Sequence, residues 1–153
     1  MGVPEFNRIG AELIDCSVPN LGVENAPPPV RDVDVTGDGD PDVIVSFACV
    51  TGNSSSFSHV VAFDGRSPAD APRTVAILLH MPESKDYRQA VKEGARVRKI
   101  TGHGDSLTLV ADKWRPGDAT ACPSLTFVQI FTVDRKGLSA KEPTELDVNA
   151  CTG

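Results

Sequence analysis

Asp34-Val35-Thr36-Gly37-Asp38-Gly39-Asp40-Pro41-Asp42 runs directly into Val43-Ile44-Val45-Ser46-Phe47-Ala48-Cys49-Val50. The first segment is an acidic bend rich in glycine. The second is a nearly uniform apolar run, rich in β-branched residues, and reads as a central strand. A tight polar loop feeding a buried strand is the signature of a β-rich domain, and the rest of the chain repeats it.

Upstream, Pro27-Pro28-Pro29 form a stiff extended lead-in, because proline fixes φ and removes a backbone donor. Val30 to Val35 then alternates apolar and charged residues, with an imperfect register. A short apolar run from Ile9 to Ile14 reads as a strand or a single helical turn. Downstream, Gly52 to Ser58 reads as a polar loop. His59 to Phe63 is the next strand, ended by the turn Asp64-Gly65. Arg73–Leu79 follows with branched residues. Arg96–Thr101 and Ser106–Asp112 flank Gly102-His103-Gly104-Asp105, a hairpin signal because glycine supplies the positive φ such turns need. Leu125–Val133 is a long apolar strand, and a shorter one lies around Leu146–Val148. The best helix candidate is Ser84 to Glu93. Ser84 caps it, Tyr87, Ala90 and Val91 share a face, and Gly94 ends it.

The sum is about seven strands and about one short helix. Strands and helices do not alternate, which argues against a parallel α/β sheet. The expectation is a mainly β protein, either an antiparallel twisted sheet or a compact sandwich. With 153 residues the chain fits one domain, spanning 1–153. It is too short for a closed propeller, and no internal repeat is evident.

The net charge of −6 and pI near 5.0 disfavour nucleic acid as a partner. No segment is apolar enough to serve as a transmembrane helix, and no secretory leader is read at the N-terminus. The four cysteines, Cys16, Cys49, Cys122 and Cys151, form no C-x-x-C pair, so zinc-ribbon and thioredoxin readings fail. Their even number and wide spacing suggest two disulfides and an oxidising compartment. Three connectivities are open. Cys16 and Cys151 lie near the termini, which often approach each other in a domain. That favours Cys16–Cys151 with Cys49–Cys122, each stabilising by roughly 2–4 kcal/mol. The chain then reads as an extracytoplasmic piece.

In the acidic loop, Asp34, Asp38 and Asp42 recur every four residues. Calcium prefers oxygen ligands at about 2.3–2.6 Å. Asp34, Asp38 and Asp42 would supply carboxylates and Asp40 a carbonyl, while Thr36 stands where a stronger pattern has Asp or Asn. An EF-hand is excluded, because Val45 occupies the place of the bidentate glutamate and the flanks read as strands. The plainer alternative is a turn whose carboxylates cap backbone amides. His59, His80 and His103 are isolated and read as structural or surface residues. Neither a nucleophile elbow nor a phosphate loop is present, so the sequence nominates no catalytic residue. Trp114 reads as a packed aromatic entering a turn.

Three ordered features carry a resemblance. The Asp34–Asp42 loop with its apolar run to Cys49 resembles the Asp-rich segment of FG-GAP/VCBS-type repeats. Together with His59–Phe63 closing on Asp64-Gly65, and with Pro116-Gly117-Asp118-Ala119-Thr120-Ala121-Cys122-Pro123-Ser124, it resembles a domain of actinobacterial secreted proteins and lipoproteins of the LppP/LprE kind. The likeness covers about residues 29–137. It implies a cell-envelope or extracellular setting and a Cys49–Cys122 disulfide, and it brings no enzymatic activity. The functional expectation is a non-enzymatic binding or sensor module of an envelope lipoprotein or receptor ectodomain, with a structural calcium loop. Its partner would be an envelope protein, a polymer or a small ligand. A secreted hydrolase or carbohydrate-active enzyme, which requires a deep cleft with convergent polar groups, is the first alternative. An inhibitor or structural envelope protein is the second.

Overall fold

The computed structural model describes residues 27–51, 54–80, 93–119, 122–134 and 137–148, together with 23–25; residues 23–25, 49–51 and 54–56 are described in their backbone only. The strands are β1 (Val23–Asn25), β2 (Val30–Val33), β3 (Asp42–Thr51), β4 (Ser54–Phe63), β5 (Thr74–Leu79), β6 (Arg96–His103), β7 (Ser106–Lys113), β8 (Leu125–Asp134), β9 (Gly137–Ala140) and β10 (Thr144–Asp147).

They form two antiparallel sheets. The first has the order β1-β3-β4-β5, with β2 also on β3; the second has the order β10-β8-β7-β6, with β9 also on β8. The fold is therefore mainly β and sandwich-like, as the residue pattern implies. The described residues hold ten strands instead of about seven. Two of the additional ones, β1 and β9, are three and four residues long, too short to show a period. The expected loop over Gly52–Ser58 is also corrected. From Ser54 onward the chain is already in β4, paired through Val50↔Ser55 and Thr51↔Ser54. Serine has little strand propensity, but pairing across a hairpin overrides it. The helix candidate Ser84–Glu93 lies outside the described residues except for Glu93, and the run Ile9–Ile14 lies wholly outside them.

Period-two patterning builds the core. Ile44, Val60 and Ala62 of the first sheet meet Val97, Leu107, Leu109, Ala111 and Phe131 of the second. Burying each large side chain contributes about 1.5–3 kcal/mol. β3 and β4 are buried on both faces. Their other face carries Val43, Val45, Phe47, Val61 and Phe63, and the Phe47 and Phe63 rings stand edge-to-face at 6.3 Å. This accounts for the uniform apolarity of Val43–Ala48.

The sheets join at one corner. Val33 of β2 makes a parallel bridge to Gly104, and the Asp34 amide donates to the Gly104 carbonyl at 3.2 Å. Gly104 has φ of 63°, in the β6–β7 turn whose arms close on His103↔Ser106. Nearby, a Cβ on Gly102 would lie 2.0 Å from Val33 Cγ2, so only glycine lets β2 approach β6 this closely. Further along the seam, the Ser58 amide donates to the Ala95 carbonyl at 2.8 Å, and Ser58 Oγ accepts from the Val97 amide at 2.9 Å.

Candidate functional site

The acidic loop sits beside this corner, between β2 and β3. Its aspartates are not equivalent. Asp42 opens β3 and is completely buried. One of its oxygens accepts from the amides of Val35 (2.8 Å) and Thr36 (3.0 Å), and the other accepts from the Gly65 amide at 2.9 Å. One carboxylate thus ties the acidic loop to the turn after β4.

Asp34 closes the loop on itself. Its Oδ1 accepts from the amides of Gly37 (2.7 Å) and Asp38 (3.2 Å) and from the Thr36 hydroxyl (3.2 Å), while Oδ2 accepts from the Gly39 amide at 2.8 Å. Gly37 and Gly39 have φ of 76° and 90°, a backbone region open mainly to glycine, and this turns their amides inward. Desolvation pushes the Asp34 carboxyl upward, but the hydrogen bonds from Gly39, Gly37, Thr36 and Asp38 outweigh it and hold the group below the usual carboxylate range.

Asp38 and Asp40 face a cation from another turn. Arg66 Nε bonds to Asp40 Oδ2 and lies 3.4 Å from Asp38 Oδ2, and an Arg66 terminal nitrogen donates to the Asp38 carbonyl at 3.1 Å. Its hydrogen bond to Asp40, then the charges of Asp38 and Asp40, hold the guanidinium still more firmly protonated. Asp64 extends the network. It accepts from the Arg66 amide at 2.9 Å and pairs with Arg73. The hydrogen bond from the Arg66 amide, followed by the Arg73 partner, draws its pKa down.

Of the five residues expected to hold calcium, Asp34 accepts from the loop's own amides and from the Thr36 hydroxyl, Asp42 accepts from the Val35 and Thr36 amides and from Gly65 of the turn after β4, and Asp38 and Asp40 turn to Arg66. Among the described residues no three carboxylate, imidazole or thiol groups converge on one point. As arranged, the loop is a capped turn with a guanidinium as counter-charge. Arg66 and Gly65 are the participants the spacing of aspartates does not reveal, although Asp64-Gly65 marks their turn.

What the loop presents outward is an open cleft of about 540 Å³. Asp32 from β2, Asp34 and the loop glycines, Asp105 from the β6–β7 turn and Asp134 at the end of β8 line it. A second open cleft of about 460 Å³, between Pro29–Asp32 and Ile100–Gly102, shares Asp32.

The remaining candidates fall elsewhere. Trp114 is buried against Phe57, edge-to-face at 5.4 Å, with the Arg96 guanidinium 5.6 Å from its ring centre; it is a packed aromatic. Arg96 and Arg98 both reach buried Asp112. His59 and His80 meet edge-to-face at 5.4 Å, and burial, then repulsion from His80, lowers the His59 pKa. Cys122 is disulfide-bonded. The side chains of Cys16, Cys49 and Cys151 lie outside the described residues, and so do both expected pairings. No helix among the described residues is long and apolar enough to cross a membrane. Comparison with protein-family models, with curated proteins and with solved structures finds no match to this chain.

Proposed function

We propose that this chain is a non-enzymatic binding or sensor module of the cell envelope, belonging to a lipoprotein or a receptor ectodomain, and that the acidic cleft is its binding surface. One observation carries the reading. Three segments distant in sequence, within residues 32–41, 104–105 and 133–134, bring Asp32, Asp34, Asp105 and Asp134 to a single open cleft. Carboxylates gathered at a concave surface focus negative potential and draw cations. The partner class is therefore a cationic segment of an envelope protein, polymer or small ligand. The extracytoplasmic setting is supported by the bonded state of Cys122, since disulfides persist in oxidising compartments.

The test is an amide-resolved titration with a lysine-rich peptide at low and high salt. Perturbed resonances at Gly37, Gly39 and Gly104, suppressed by salt and by joint Asp32→Asn and Asp105→Asn substitution, support the cleft. Binding that is indifferent to both substitutions sinks it. Peptide mapping under non-reducing conditions tests the Cys49–Cys122 and Cys16–Cys151 pairings, and a free thiol at Cys49 would remove the first.

A further inference from the structure

No further inference is drawn: the strongest candidate, the outer strand Thr74–Leu79 of the first sheet with Val75 and Ile77 exposed, is an apolar edge unpaired among the described residues, and nothing in the structure shows what covers it.

Discussion

The Asp42 carboxylate accepts the Gly65 amide at 2.9 Å across the open end of the β3–β4 hairpin. With its other oxygen on Val35 and Thr36, it satisfies three amides from two loops. Asp42→Ala leaves those donors without their acceptor in a buried place. The expected loss is about 2–4 kcal/mol of stability. Urea unfolding with an unchanged m-value measures it. A loss smaller than about 1 kcal/mol would contradict the role, being no more than an ordinary single hydrogen bond.

Two glycines should differ in their tolerance of alanine. A Cβ on Gly65 would stand 1.9 Å from the Pro41 carbonyl oxygen, whereas on Gly102 it would meet valine methyl groups. Backbone yields less than a side-chain tip. Gly65→Ala should therefore cost about 3 kcal/mol, and Gly102→Ala about 1–2 kcal/mol. Thermal melts of both variants decide the order, and the reverse order refutes it.

Acid should unfold the domain through its capped carboxylates. Asp34 and Asp64 have depressed pKa values in the fold. Asp118 is also depressed, chiefly by the Ser124 hydroxyl and then the Arg115 amide. A lowered folded pKa gives stability that is present above the unfolded value, about 3.9, and lost as pH falls through the folded values. Asp118→Asn should flatten the acid limb of a stability–pH curve. An unchanged limb would deny Asp118 this part.

His59 has a window of its own. Its folded pKa lies below the usual imidazole value. The unfolded chain therefore takes up the proton first, and stability declines as pH falls from about 6.5 toward the depressed value. His59→Phe should remove the slope just below neutrality while leaving the carboxylate limb intact. A slope that persists in the variant places its origin elsewhere.

A calcium ion offered to this loop would have to compete with the Arg66 guanidinium for Asp38 and Asp40. Arg66→Ala frees Asp38 and Asp40 of their cation. Because that pair is exposed and screened by solvent, the substitution alone should change stability little. Millimolar calcium should then raise the melting temperature of the variant more than that of the parent, since binding the native state stabilises it. An equal or larger rise in the parent would show that the loop gives up its amide donors to an ion.

Much of the architecture is legible in the residue pattern. Val43–Ala48 declares a strand by its nearly uniform run of apolar, branched residues, and Ser106–Asp112 and Leu125–Val133 also carry enough apolar residues to declare strands. Ser54–Ser56 does not, because its strand state comes from pairing with Val50 and Thr51. The acidic loop is legible as a loop, but the separate fates of its aspartates are not. Asp40 and Asp42 look alike in sequence; one meets an exposed arginine 26 residues away, and the other is sealed at the mouth of a hairpin. Both outcomes depend on the β4–β5 turn, which local spacing does not encode.

Asp42 also has a consequence for how the hairpin finds its alignment. Side chains alternate between sheet faces, so sliding β3 by one residue would exchange every position of its two faces. Both faces of β3 are apolar, and hydrophobicity alone therefore discriminates weakly between the two alignments. The carboxylate does discriminate: displaced by one position, it would leave its three amide donors and enter the face occupied by Val43 and Phe63. A charged group at the end of the most apolar strand thus acts as an index mark, penalising misaligned hairpins that the core by itself would accept.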